Sequence, residues 1–462
     1  MRILFVIYDN DSQTNDFPLG IAYLCSFLRQ YGYKDMAIYN QDIFHFPDEH
    51  LTNFLNNNHF DIVGVGVIGG YYQYKKLKSI CAAIYKSKDR PILIIGGYGP
   101  APEPKFFMEK TNADFCVIGE GELPLLNLLN EIGGSKNYST VEGIIYREGD
   151  KYHTTIRSKP IKDIDDIPLP AWDLFLIDAY ACLKPAGVVG AVRTMPILTC
   201  RGCMYSCNFC YRMETGYRVR SYESIIEEIK RLIKDYNISF VRLRDELLMS
   251  NEKRIIGFCE ALLDADIKIH FDCSGRLNTA KPFVLKLMKR AGCTYINYGI
   301  ESLDQKVLDI MNKYQTIEEI YNGIEATISA GINPGFNLLW NNIADNEETL
   351  KKAVEFLKKY NTYSEIRTIK PVTPYPGSAL YYKAIKQGLL EGPEDFYEHK
   401  HLNSDRIAVN FMDMSDEKAY KLLYEANCEL LKDHYDHLCN DAIEAHHLLY
   451  SGQDVNFRGV RH

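Results

Sequence analysis

The sequence predicts an α/β protein in three parts: a doubly wound parallel sheet, a partial (β/α)6 barrel, and a mostly helical C-terminal extension. Three observations lead there. Short runs rich in Val, Ile and Phe alternate with helical apolar periodicity through residues 1–133, and again through 195–390. That alternation is the mark of parallel strands joined by crossover helices. A polar, proline-bearing stretch at 134–194 separates the two blocks, and strand-like runs cease over 391–462.

In the first block, strands are expected at 3–8, 36–39, 61–67, 91–96 and 114–118, each bounded by Gly, Pro, Asn or Asp. Helices are expected at 19–31 and 74–86. Open α/β sheets bind ligands beyond the carboxyl ends of their strands. The loops there carry Gly64, Gly66, Gly69 and Gly70, then Gly96-Gly97-Tyr98-Gly99, then Gly119-Glu120-Gly121-Glu122. The bridge reads as a hairpin (141–146 and 152–156) and a proline turn (167–172) within an extended connector.

The second block offers strands at 196–200, 239–243, 268–273, 295–299, 335–340 and 365–371. Helices follow at 222–236 behind Ser221 as cap, 252–264, 282–291, 317–330 and 347–360. Ile225, Ile226, Ile229, Leu232 and Ile233 draw the apolar stripe of a helix laid on a sheet. Six units rather than eight mean an open barrel, with its site at the carboxyl ends of the strands. In the tail, Ser415 caps a helix over 416–438 with an acidic first turn. This extension is expected to close the barrel mouth.

The 462 residues are 46% hydrophobic and 25% charged, with a net charge of -8. That balance argues against a polybasic coat, so nucleic acid is not an expected partner. No apolar run reaches the roughly 18–20 residues of a membrane span. Residues 1–8 run directly into Asp9 and Asp11 with no small-residue cleavage site, as a first strand does and a signal peptide does not. A cytoplasmic location is expected. The 13 cysteines are then reduced thiols rather than a disulfide framework.

Four of them, Cys200, Cys203, Cys207 and Cys210, crowd one loop after the first strand of the second block. Thiolates this close repel one another unless a metal centre takes their charge. Zinc would use all four, but its paired knuckles are normally separated by more than about ten residues. An iron–sulfur cluster accepts such crowding, with Cys203, Cys207 and Cys210 as ligands.

Cys203-x-x-x-Cys207-x-x-Cys210 after the first barrel strand, with Phe209 at the motif's aromatic position, resembles the radical S-adenosylmethionine (SAM) superfamily. The resemblance implies a [4Fe–4S] cluster whose free iron chelates SAM. Reductive cleavage would yield a 5′-deoxyadenosyl radical, with the electron drawn from a donor such as flavodoxin or ferredoxin. It also implies that Asp245 and Glu246 meet the methionine amino group, and that Ser274, Arg276, Glu301 and Ser302 meet the carboxylate and ribose. A zwitterion and a diol call for such acids, a cation and short hydroxyls at one sheet end. Cys200 departs from the pattern, since relatives more often carry Ser or Thr there. Residues 373–378 (TPYPGS) resemble the terminal signature of these barrels.

Residues 18–24 (PLGIAYL), Gly96-Gly97, the 119–122 loop and residues 167–174 (IPLPAWDL) are similar to the cobalamin-binding (B12-dependent) radical SAM enzymes, whose Rossmann-like domain precedes the barrel. On that resemblance Gly66, Gly69, Gly96, Gly97, Tyr98, Gly99, Gly119, Glu120, Gly121 and Glu122 hold cobalamin, glycines letting a flat corrin approach the backbone. No Gly-x-Gly-x-x-Gly follows the first strand, which disfavours NAD. The Asp-x-His-x-x-Gly signature of other cobalamin modules is absent. Asp42-Ile-Phe-His45 has different spacing and follows the second strand, and Tyr98 stands where many relatives carry histidine.

The function implied is methylation of an unactivated carbon in a small-molecule or peptide substrate. Cyclisation or rearrangement without methyl transfer is the alternative within enzymes, and a zinc-stabilised binding protein the alternative outside them. His434, His437 and Cys439 read as a polar helix face, and Asn341-Asn342 close the fifth barrel strand.

Overall fold

The computed structural model describes residues 1–12, 15–182 and 192–453. The parts of the expected connector at 183–191 and of the tail at 454–462 lie outside the described residues.

The first sheet holds β1 (Ile3–Ile7), β2 (Met36–Asn40), β3 (Ile62–Gly66), β4 (Ile92–Gly96), β5 (Phe115–Val117), β6 (Ile144–Glu148) and β7 (Lys151–Thr154), in the order β2-β1-β3-β4-β5-β6-β7. The first five are parallel, and β6 and β7 are antiparallel. Period-two alternation splits the strands between two cores. Ile3, Phe5, Ile7, Ile62 and Ile94 pack on one face, and Leu4, Val6, Val63, Val65, Leu93 and Ile95 on the other.

The segment expected as an extended connector is folded. Its hairpin pairs with β5 and lengthens the first sheet. Beyond it, Trp172 is 1% exposed. The Ala171 amide donates to the Ala22 carbonyl at 3.0 Å, and Arg29 grips Asp173 with two bonds of 3.0 and 2.9 Å. Prolines gave the chain its local stiffness. Burial of Ile164, Ile167, Trp172, Phe175 and Tyr180 then fixed it against the first block.

The second block opens with β8 (Thr194–Ile197), followed by a two-stranded antiparallel ribbon, β9 (Cys200–Cys203) and β10 (Gly216–Val219). Then come β11 (Phe240–Leu243), β12 (His270–Gly275), β13 (Cys293–Glu301), β14 (Asn333–Trp340) and β15 (Lys370–Pro371). The parallel order β15-β14-β13-β12-β11-β8 leaves the barrel open. Its outer helices begin on side-chain caps: Ser221 for Tyr222–Tyr236, Asn251 for Glu252–Asp264, and a Thr316/Glu319 capping box for Ile317–Ser329.

The C-terminal extension divides between the barrel flank and the ends of the last barrel strands. Helix Asp416–Tyr450 lies against Glu347–Lys359 on the barrel flank. Ahead of it, Phe396 and Tyr397 pack with Tyr74, Phe106 and Phe107 of the first block, and Glu398 accepts from Lys78 at 2.8 Å. Asn341, just past β14, donates to the Val409 carbonyl at 2.8 Å, and Tyr375, after β15, lies against Phe396 and His401. Among the described residues no helix is long and apolar enough to cross a membrane.

Candidate active site

The ribbon β9–β10 carries the cysteine loop at its tip, with Cys203 paired opposite Gly216. Asp245, just past β11, anchors the base of the loop. Its Oδ1 accepts from the amides of Thr199 (2.6 Å) and Cys200 (3.0 Å), and its Oδ2 from the Thr199 hydroxyl. Buried, and bonded to the loop base through both oxygens, Asp245 positions the loop, where the resemblance had implied a contact to the methionine amino group. Farther along the loop, the Asn208 amide donates to Met311 O (2.9 Å), and Asn208 O accepts from the Leu380 amide (2.8 Å).

The thiols sit in a positively biased pocket. A hydrogen bond from Cys210 pushes the Cys207 thiol down to about 6; burial opposes this, and Lys313 and Arg276 reinforce it. Cys210, the proton donor of the pair, is shifted up. Lys313 Nζ also donates to Glu301 Oε1 at 2.8 Å, and Glu301 itself takes a left-handed backbone at φ 67. Arg276 donates to the carbonyls of Lys313 and Tyr314 and lies over the Tyr205 ring. Cys200 belongs elsewhere: it is buried, and its thiol faces the Leu247 carbonyl at 3.7 Å.

Three thiols on one loop beside two cations are a donor set that suits an anionic iron–sulfur cluster. Arg276 Nε and both amide atoms of Gln315 are buried without partners among the described residues, polar capacity of the kind a zwitterionic ligand would use. Lys313 and Gln315 were not foreseen. They alternate in the irregular stretch between helices Gln305–Ile310 and Ile317–Ser329, where sequence periodicity carries no signal. Phe209 is half-buried, Ser274 half-buried on β12, and Ser302 buried with its hydroxyl accepting from the Asp304 amide at 3.2 Å.

Opposite lie the strand ends of the first sheet. Gly66 faces open space, and the exposed Ile68, Tyr72 and Tyr98 surround that edge, an apolar platform of the kind a large flat ring covers. Gly97 and Gly99 serve packing instead: a Cβ at either would come within 2.5 and 2.8 Å of the carbonyls of Val67 and Ile68. A Cβ on Gly96 would only reach ordinary contact with Val117, and one on Gly69 with Tyr375. The 119–122 loop is engaged by the barrel. Arg201 donates to Glu120 (3.1 Å) and Glu122 (2.7 Å), Arg218 donates to Glu120, and a Cβ on Gly119 would meet Glu214. Gly121, whose Cβ would press on Leu24, precedes helix Glu122–Gly133. Glu120 and Glu122 therefore join the two blocks, where the resemblance had assigned them to the corrin.

Tyr98 and Glu246, expected on different cofactors, meet each other. The Tyr98 hydroxyl donates to Glu246 at 2.6 Å, and its ring stands edge-on to Tyr211, the neighbour of Cys210. His45 bonds Asp9 at 3.0 Å, and Asp42 accepts from Tyr180 at 2.8 Å. His434 is buried, and His437 stacks on Tyr363 at 3.6 Å. Among the described residues no three His, Cys, Asp or Glu side chains are grouped to hold a single metal ion.

This arrangement matches known sequences. Residues 197–357 match the Radical SAM superfamily and residues 11–129 the B12 binding domain. The chain belongs to the radical SAM superfamily, in the group whose barrel follows a B12 binding domain. An uncharacterized methyltransferase of Pyrococcus horikoshii is 27% identical over 456 residues, 95% of each chain. The anaerobic magnesium-protoporphyrin IX monomethyl ester cyclase of Rubrivivax gelatinosus is 26% identical over 394 residues, 82% of this chain and 69% of that one. Two solved structures share the fold. The cobalamin-dependent SAM radical enzyme OxsB, with aqua-cobalamin bound, aligns with TM-score 0.66 and 21% identity, over 83% of this chain and 55% of its own. The radical SAM methyltransferase TsrM from Kitasatospora setae, with cobalamin and a [4Fe–4S] cluster bound, aligns with TM-score 0.67 and 16% identity, over 84% and 75%.

Proposed function

We propose that the protein is a cobalamin-dependent radical SAM methyltransferase acting on an unactivated carbon of a small-molecule or peptide substrate. The observation that carries the reading is the Tyr98–Glu246 hydrogen bond. It sets the glycine-bearing edge of the first sheet against the carboxyl ends of the barrel strands, so that residues suited to a corrin and residues suited to SAM border one space. The Pyrococcus relative, named a methyltransferase and matched over nearly its full length, supports the choice of reaction.

Cys203, Cys207 and Cys210 would hold the [4Fe–4S] cluster; Arg276, Glu301, Ser302 and Gln315 would border SAM; and Gly66, Ile68, Tyr72 and Tyr98 would face cobalamin. When bound, cluster and SAM supply a carbon-radical initiator and the corrin a transferable methyl group. The chain's own residues do the placing. Asp245 fixes the loop base, the Lys313–Glu301 pair presents a cation near Cys207, and Arg276 covers the Tyr205 ring. Met204, Ser206 and Cys210 leave the loop exposed for an electron donor such as flavodoxin or ferredoxin. All 13 cysteines are free, as a reducing cytoplasm would keep them. The units are taken as 1–133, 134–194, 195–390 and 391–462, with the β6–β7 hairpin serving the first.

Anaerobic reconstitution, followed by mass analysis of products formed with candidate substrates, tests the reading. A product heavier by one methyl group is expected. Loss of hydrogen, or an isomer, would favour the cyclase alternative suggested by the Rubrivivax relative. One zinc without acid-labile sulfide would favour a non-catalytic zinc protein.

A further inference from the structure

The concave face of the barrel is polar where its convex face is apolar. Val241 and Leu243 pack with Ile225, Ile229 and Leu232 of the outer helix. Alternation along β11 therefore turns Arg242, and Arg244 just beyond the strand, to the concave side. Strand register orders that side into tiers. Arg242 aligns with Asp272, and Asp272 with Tyr295. One step toward the carboxyl ends, Ser274 aligns with Asn297, and Asn297 with Gly335. Arg244, two residues after Arg242, stands at this second tier. A further step brings Gly299 opposite Asn337, the level of Arg276 and the proposed SAM site.

The first tier is closed by its own contacts. Arg242 Nε donates to Asp272 at 3.2 Å, and Tyr295 donates to Glu365 at 3.0 Å. The second tier is open. Ser274 and Asn297 are half-exposed, Asn337 above them is exposed, and none of the three side chains has a hydrogen-bond partner among the described residues. Among the described residues the guanidinium of Arg244, 39% exposed, reaches Asp16 Oδ1 at 3.1 Å, and Arg242 Nη1 lies 3.5 Å from that same oxygen. Asp16 arrives from the loop between β1 and the first helix, and its side chain is 61% exposed.

One oxygen of an exposed carboxylate thus serves two guanidinium groups. The Arg244–Asp16 pair, exposed on both sides, contributes little. Two arginine forks match a carboxylate or phosphate far better when both of its oxygens engage. Asp272, buried beneath, keeps Arg242 in place whichever anion lies above. We propose that Arg242 and Arg244 form the anion-binding end of the substrate chamber, taking a carboxylate or phosphate group of the substrate in place of Asp16. The claim that the anion belongs to the substrate rests on the function proposed above. It narrows the substrate class to molecules that carry such a group within reach of the SAM site.

Titration calorimetry with inorganic phosphate and with malonate, on protein loaded with cluster and cobalamin, tests the clamp without turnover. At least one anion should bind saturably, phosphate preference marking a phosphoryl group and malonate preference a carboxylate. Arg244→Gln should weaken that binding by about tenfold, the loss of one charge-assisted contact. Asp16→Asn should tighten it, because the competing carboxylate is gone. A purely structural link between the blocks would make both substitutions act alike. Absence of saturable binding, or shifts in the same direction, overturns the proposal. Because binding is read without chemistry, a product lacking a methyl group would sink the reaction assignment and leave this result standing.

Discussion

Arg276 lies over Tyr205, its guanidinium carbon 3.7 Å from the ring centroid. The contact ties the end of the third barrel strand to the middle of the cysteine loop, between Cys203 and Cys207. A partly desolvated cation–π pair contributes about 1–2 kcal/mol, and the bonds from Arg276 to the carbonyls of Lys313 and Tyr314 add to it. Arg276→Ala should leave a folded chain that retains less than half the iron of the wild type after anaerobic reconstitution, read by iron and sulfide analysis. Arg276→Lys keeps the charge and loses the planar fork, so its iron content should fall between the two.

The four crowded cysteines should separate cleanly by substitution. Cys207→Ala should abolish the iron chromophore, and Cys203→Ala and Cys210→Ala should do the same. Cys200→Ser should keep the full iron content and lose about 1–2 kcal/mol of stability, since a hydroxyl replaces a buried thiol facing the Leu247 carbonyl. Equal iron loss in all four variants would return the site to a four-thiolate arrangement. Visible absorption and iron analysis decide it.

Glu120 takes hydrogen bonds from two arginines of the ribbon while mostly buried. Removing one partner from a buried charge network is costly. Glu120→Gln should therefore destabilise the chain by about 2–4 kcal/mol in urea unfolding. The surface pair Lys105–Glu109, 3.7 Å apart, gives the contrast: Glu109→Gln should cost less than about 1 kcal/mol.

Asp345 gives a pH signature. Burial pushes its carboxyl from the ordinary 3.8 to about 7, against hydrogen bonds from Thr349 and the Asn342 amide that favour the ionised form. The folded state then holds a proton that the unfolded chain has released. Stability attached to Asp345 falls as pH rises from the unfolded value through about 7. Asp345→Asn lacks this slope. The wild type should lose ground to the variant between pH 5 and pH 8, measured as the difference in urea midpoints.

Regular elements could be read from the sequence where a local signal and a tertiary role coincide. Helix Tyr222–Tyr236 begins and ends where its cap and apolar stripe place it, and Glu252–Asp264 does likewise. The sixth barrel strand shows the opposite case. Residues 365–371 have strand composition, yet only Lys370–Pro371 pair in the ladder. Asn427, from the distant C-terminal helix, brackets the Ile369 amide and carbonyl instead, at 2.8 and 3.0 Å. The cysteine motif was plain because its spacing is itself the chemistry. Lys313, Gln315 and the grip of Arg201 on Glu120 and Glu122 were not, because each depends on where a long polar side chain ends once the fold has formed.

In the ribbon that presents the cysteines, Arg201 and Arg218 stand directly opposite each other. Like charges so placed push strands apart. They are reconciled here by acids that the N-terminal block supplies. The ribbon is thus only half-encoded by the barrel that contains it. A barrel expressed alone, or grafted behind the N-terminal block of a relative lacking that acid pair, would inherit the cysteines without the means to aim them. Transplanting the ribbon into another protein would therefore require the acidic loop to travel with it.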